Sequence, residues 1–359
     1  MDKLQVPPVR GRGVASRPAG RFARTTTLPA FEDDEALPPA PGTQLLPEQI
    51  RSIISRNQSP DIPFSQSVNP YRGCEHGCVY CYARPSHAYL DLSPGLDFEQ
   101  RIFFKPDAAA VLRRELTKPG YVCQPITLGA NTDAWQPAER QLRISRQILE
   151  VLLEFRHPVS IITKSALVER DLDLLQELAA QDLVTVLLSI TTFDDELKRR
   201  MEPRAAAPRR RVETLRRLSA AGIPCGVLAA PMIPGLNDHE LEQILEAAAD
   251  AGARHAGYVL LRLPHEVEPI FSEWLHTQYP LKAAKVLSLI RQVRGGALND
   301  AQFGRRMRGS GPIANLLAQR FAAACRRHSF TRQSEGTLDS ARFRVPAGPG
   351  TQVDWLDPA

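Results

Sequence analysis

Short apolar runs separated by segments of helical periodicity limit this chain to a few architectures. The runs ITLGA (126–130), VSIIT (159–163), LVTVLLSI (183–190), CGVLAAPMI (225–233) and HAGYVLLRL (255–263) read as strands. They have few polar interruptions, as expected for a parallel sheet covered on both faces. Between them, apolar residues recur on single helical faces. Ile144, Ile148, Leu152 and Phe155 form one such face, Leu172, Leu174, Leu175 and Leu178 a second, and Leu241, Ile244, Leu245 and Ala248 a third, for which Asp238 is a candidate N-cap. A further strand near Ser65–Pro70 brings the count to six. Six βα units with right-handed crossovers predict an α/β fold, a partial (β/α)6 TIM-like barrel, with an open doubly wound sheet as the alternative. Both place chemistry at the C-terminal ends of the strands.

The flanks differ in composition. Residues 1–45 are rich in Pro, Arg, Gly and Thr, turn acidic at Glu32–Glu35, and read as a disordered tail. The core domain is expected over 46–265, a helical C-terminal extension over 266–330 with Trp274, Leu275, Val286 and Ile290 buried, and a loose tail over 331–359. No run of 18 apolar residues and no signal-peptide core is present in the 359 residues, so no membrane segment is expected and the location is read as cytoplasmic. A net charge of +5 permits an anionic partner without requiring one. Nothing in the sequence speaks to oligomeric state.

The chemistry concentrates at Asn69-Pro70-Tyr71-Arg72-Gly73-Cys74-Glu75-His76-Gly77-Cys78-Val79-Tyr80-Cys81. Three of the six cysteines fall within eight residues, in a C-x3-C-x2-C pattern that is no disulfide framework. Three thiolates can hold three irons of a [4Fe–4S] cube and leave the fourth open. Zinc, with His76 as a fourth ligand, is the alternative. Gly73 and Gly77 let the backbone wrap closely.

This motif, with an aromatic just before its third cysteine, resembles the signature of the radical SAM superfamily. The segment Cys74-Glu75-His76-Gly77-Cys78-Val79-Tyr80-Cys81-Tyr82 is similar to the spore photoproduct lyase branch of DNA-repair-photolyase-like proteins. The resemblance implies an enzyme that cleaves S-adenosylmethionine (SAM) reductively at a [4Fe–4S] cluster and abstracts hydrogen from a substrate. A nucleic-acid lesion or base, a peptide and a small metabolite all remain open as substrates. It also implies an external electron donor of flavodoxin or ferredoxin type. On the same resemblance, Cys74, Cys78 and Cys81 hold the metal. Asn131 and Asp133 stand where a Gly-Gly-Glu segment commonly meets the SAM amino group, Lys164 and Ser189 meet its carboxylate or ribose, and Tyr80 packs on adenine. Cys123 is a candidate hydrogen donor and Tyr82 a candidate relay, while Glu202 pairs with Arg204. Each has a plainer reading: Asn131 and Asp133 as turn residues, Cys123 as a small buried hydrophobe. Arg209–Arg211 and Arg305–Arg308 read either as phosphate contacts or as solvated charge. Two other classes stay open, a zinc-containing nucleic-acid-binding protein and an iron–sulfur electron carrier or sensor.

Overall fold

Each apolar run pairs with the next one along the chain, which sets the architecture. The computed structural model describes residues 11–23, 42–331 and 338–346. In chain order the strands are β1 (Gln44–Pro47), β2 (Ile54–Arg56), β3 (Gln66–Val68), β4 (Tyr71–Arg72), β5 (Arg101–Phe104), β6 (Ile126–Leu128), β7 (Val159–Thr163), β8 (Val184–Ile190), β9 (Cys225–Met232) and β10 (His255–Leu260). The main sheet runs β10-β9-β8-β7-β6-β3-β2, parallel throughout except for β2. Strand order equals chain order, with no reversal, so the sheet has no doubly wound switch point. One face of all six parallel strands surrounds a single cavity, which makes the sheet a partial barrel open between β10 and β3. A small second sheet, β1-β5-β4, sits beside the cysteine loop.

The inner face differs from the sequence expectation. Along β8, Val184, Val186, Leu188 and Ile190 join the apolar core, whereas Thr185, Leu187 and Ser189 face the cavity. The same alternation places Ser67, Thr127 and Ser160 on the cavity wall. Helices therefore cover one face of the sheet, and the few polar residues within the strands mark the other. The outer layer includes Ile144–Glu154, Leu172–Ala179, Pro208–Ala220 and Leu241–Asp250. Ile148, Leu152, Leu175, Leu178, Leu215, Leu218, Ile244 and Leu245 from these helices are buried in the main core, each contributing about 1.5–3 kcal/mol. Asp238 does not cap Leu241–Asp250, because its carboxylate accepts from the Gly235 amide at 2.8 Å.

The C-terminal extension closes the open side. The helix Gly311–Arg327 lies along β10, with Tyr258 and Phe321 ring centroids 4.8 Å apart, and Asn315, Ala318 and Phe321 reach the cavity. Arg306 forms two hydrogen bonds to Asp61, at 2.6 and 2.8 Å, joining the turn before this helix to the loop between β2 and β3. Arg294, nearly fully buried, fixes that turn to β10 by donating to the carbonyls of Leu260, Leu261, Arg305 and Arg306.

Residues 11–23 lie within the segment that composition assigns to a flexible tail, yet they pack as a strap on the cysteine loop. The Gly13 and Val14 amides donate to the Glu99 carboxylate at 3.0 and 3.2 Å. A Cβ on Gly13 would fall 1.8 Å from the Gly77 carbonyl oxygen, so only glycine allows this approach.

Candidate functional site

The cysteine loop leaves the C-terminal end of β3 and folds over the cavity, whose volume is about 1640 Å³. Cys74, Cys78 and Cys81 all line it. The loop is held from several directions. Cys74 N donates to Phe98 O at 2.9 Å, Val79 N to Met201 O at 3.0 Å, and Glu75 N to Gln136 Oε1 at 2.9 Å. Arg84, fully buried, donates to Cys78 O at 2.9 Å and pairs with the equally buried Glu99 at 2.5 Å. One chain of contacts thus runs from the strap through Glu99 and Arg84 into the middle of the cysteine motif.

The donor set fits an iron–sulfur cluster better than a single ion. The His76 backbone amide favours the ionised form of Cys74, and the amides of Ala83 and Arg84 favour that of Cys81. Thiolates that ligate clusters are stabilised by such amides. Burial pushes all three thiols up, Cys78 to about 12, and metal coordination is what would hold them ionised. Among the described residues, no three His, Cys, Asp or Glu side chains converge as one metal ion would require. His76, the fourth ligand of the zinc alternative, instead faces Asp133, with Nδ1 3.4 Å from Oδ2.

The neighbouring strand ends bring Lys164 and Ser189 together as expected. Lys164 Nζ donates to Ser189 Oγ at 2.8 Å and lies 5.8 Å from the Tyr80 ring centroid. Asp133 serves first as a tie between strands. It accepts from Trp135 N at 2.9 Å, Thr163 Oγ1 at 2.7 Å and Lys164 N at 2.7 Å. The β6 end must approach β7 closely for this. Gly129 has φ +81°, and a Cβ there would fall 2.1 Å from the Ile162 carbonyl oxygen. Asn131 lines the cavity; its amide donates to Asn69 at 3.0 Å, and its side chain has no hydrogen bond among the described residues.

Several expectations are corrected. Glu202 does not pair with Arg204. It pairs with Arg211, both fully buried, and accepts from Thr191 Oγ1 at 2.6 Å and from the Tyr80 hydroxyl. Burial alone would raise the Glu202 carboxyl, but Arg211 and Lys164 outweigh it and hold it at about 2. Arg204 turns instead to Glu75 at 2.9 Å. Tyr80 borders the cavity, and its hydroxyl is anchored on Glu202, which fixes the ring in the wall. Tyr82 is 46% accessible and lines the cavity, its hydroxyl donating to Ala130 O and its ring lying 5.4 Å from the Arg262 guanidinium. Cys123 is not brought to this end. It precedes β6, six residues before Gly129 and up to about 20 Å away along extended chain, and it is absent from the cavity lining. Burial raises its thiol to about 11, against the influence of Ser340, which itself lines the cavity.

The two arginine clusters are largely consumed internally: Arg210 pairs with Glu169, Arg211 with Glu202, Arg305 with Asp300 and Arg306 with Asp61. His87 is buried against the Arg101 carbonyl, and burial lowers it to about 4. Asn237 went unnoticed in the sequence. Fully buried, it donates to Thr191 O at 2.7 Å and Pro231 O at 2.9 Å and accepts from Ile233 N at 2.6 Å, pinning the irregular end of β9. An asparagine shortly after Pro-Gly reads locally as a turn residue, so no sequence signal marked it.

The chain is similar to known proteins. The family model described as the radical SAM superfamily matches residues 68–248. An uncharacterised protein of Mycobacterium tuberculosis is 39% identical over 233 residues, covering 64% of this chain and 68% of that one. An uncharacterised protein of Methanocaldococcus jannaschii is 30% identical over 176 residues, covering 48% and 62%. Among solved structures, spore photoproduct lyase complexed with dinucleoside spore photoproduct aligns with a TM-score of 0.57 at 14% identity, covering 79% of each chain. That likeness is one of fold. The chain belongs to the radical SAM superfamily and is an enzyme of that class. The family implies SAM and a [4Fe–4S] cluster as its cofactors.

Proposed function

We propose that this enzyme holds a [4Fe–4S] cluster on Cys74, Cys78 and Cys81, binds SAM beside it, and abstracts hydrogen from a second molecule in the same cavity. The observation that carries this reading is three thiols on one cavity rim, next to the Lys164–Ser189 pair. When bound, the reduced cluster supplies one electron to SAM, the chemistry that opens hydrogen abstraction. Lys164 and Ser189 take the SAM carboxylate, Asp133 fixes the Lys164 backbone, and the Asn131 amide oxygen is available to an ammonium group. The Glu202–Arg211 pair holds Tyr80 in place. The cavity of about 1640 Å³ exceeds the roughly 300–1,000 Å³ of one small-molecule site, leaving room for SAM and a substrate. An external reductant of flavodoxin or ferredoxin type completes the scheme.

Most of both arginine clusters are paired internally, and we take the substrate to be one that enters the cavity. The test is anaerobic reconstitution, iron and sulfide analysis, then reduction with SAM and assay for 5′-deoxyadenosine. Wild type is expected to bind about four irons per chain and release 5′-deoxyadenosine. The variant with Cys74, Cys78 and Cys81 all changed to Ala should do neither. Retention of iron and sulfide by that variant would refute the assignment.

A further inference from the structure

The cavity wall formed by the end of β10 and the turn before Gly311–Arg327 is cationic, and Arg262 and Arg308 in it have no ion pair among the described residues. Arg262, two residues past β10, lines the cavity with its guanidinium 5.4 Å from the Tyr82 ring centroid. One of its amino groups reaches only the Met307 sulfur, at 3.7 Å. Its Nε is buried without a hydrogen-bond partner among the described residues. The carboxylate with an attractive influence on it is Asp61, but both Asp61 oxygens are held by Arg306, and one also by the Gly304 amide at 3.1 Å. Arg308 lines the same cavity, 4.0 Å from the Tyr258 ring centroid and 5.7 Å from that of Phe321, again with no ion pair among the described residues. The fully buried arginines have more partners. Arg84 has Glu99, Arg211 has Glu202, and Arg294, although its Nε is also without a hydrogen bond among the described residues, donates to four carbonyls. A partly desolvated guanidinium without a counter-charge is unfavourable by itself, and beside a cavity it is suited to an anion brought by a ligand.

We infer that Arg262, with Arg308 farther along the wall, binds an anionic group of the substrate, a phosphate or a carboxylate. This rests on assigning Lys164 and Ser189 to SAM. The cofactor has one carboxylate, so a second cationic wall remains for the other occupant. Arginine suits the task because its planar fork meets either group through two hydrogen bonds.

The experiment uses the full chain, reconstituted anaerobically, with calorimetric titration of SAM and, separately, of inorganic phosphate, succinate and a 5′-phosphorylated dinucleotide at low ionic strength. Wild type should bind at least one of the three anions. Arg262→Gln and Arg308→Gln should each weaken that binding about tenfold or more while leaving SAM affinity within about twofold. Arg262→Lys should recover only part of the loss, since a point charge replaces a fork. Preference for the dinucleotide would assign the anion to a nucleic-acid terminus, and preference for phosphate or succinate to a metabolite. Arg308 is exposed, so its variant remains informative even if Arg262→Gln folds poorly. Anion binding without SAM binding in wild type would support the subsite and sink the cofactor reading. Failure of all three anions to bind wild type, or loss of SAM with anion binding kept in Arg262→Gln, overturns the proposal.

Discussion

Glu202 shows how a site residue works through its partners. It lies just past a short helix and binds Arg211, Thr191 and Tyr80 at once, with no exposed surface on either member of the ion pair. Removing one charge of such a pair leaves the other buried and unbalanced, which costs about 3–5 kcal/mol. Glu202→Gln should therefore lower unfolding stability by about that amount, measured by chemical denaturation at neutral pH. The sign of the pH dependence follows from the direction of the shift. The folded carboxyl is held at about 2 against an ordinary 4.5, so the stabilisation is complete above 4.5 and is lost as pH falls toward 2. The wild-type-minus-variant difference should stay flat from about pH 8 to 5 and shrink below. A variant as stable as wild type would show that the pair is not the anchor of Tyr80. The resemblance to radical SAM enzymes, through their Glu-x-Arg segment, suggested Arg204 as the partner. The chain reverses at Pro203, and the next helix returns Arg211 instead.

At the scale of elements, the strap and the cysteine loop form one unit. Gly13 packs against Gly77, and the strap amides reach Arg84 through Glu99. Gly13→Val places a side chain where the Gly77 carbonyl lies, so the strap should lift off and expose the outer side of the loop. The expected outcome is faster proteolysis within residues 11–23 and, in reconstituted protein, several-fold faster bleaching of the brown chromophore in air. Unchanged bleaching with the strap released would mean that it does not shield the cluster. Composition marks this segment as loose, because it lacks apolar periodicity. Its order comes from backbone amides meeting one buried carboxylate, a contact that leaves no hydrophobic pattern. The strands show the opposite case. Thr185, Ser189, Ser160 and Thr127 looked like minor interruptions of apolar runs, yet they are the wall of the cavity.

At the scale of the whole molecule, the barrel is closed by side chains and a helix rather than by strand pairing. Asp61 and Arg306 join the two sides of the opening, and Gly311–Arg327 covers it. Asp61→Asn removes the charge from this link, and a hydrogen bond to a charged group is worth about 1.5–3 kcal/mol. Amide hydrogen exchange should accelerate in 59–64 and 303–309 and remain slow in β8, where all seven residues are buried. Uniform acceleration would mean that the link supports global stability rather than the opening. The same contact explains why Arg305–Arg308 looked like a nucleic-acid track: one-dimensional charge density does not reveal that Asp61, more than two hundred positions earlier, takes Arg306.

What the sequence alone determined was whatever local spacing controls. Three cysteines within eight residues mark a candidate metal loop, apolar periodicities define six βα units, and parallel connectivity sends Lys164 and Ser189 to one rim. Tertiary structure decided the pairings that need the chain to return on itself. It chose Arg211 over Arg204 for Glu202, put Cys123 before the start of β6 rather than at the strand end that carries the cysteine loop, and seated the strap on Glu99. It also left Arg262 in the wall without a counter-charge among the described residues. The physical reason is range: helix and strand periods are written over a few residues, whereas a buried charge finds its partner only when the core closes around both.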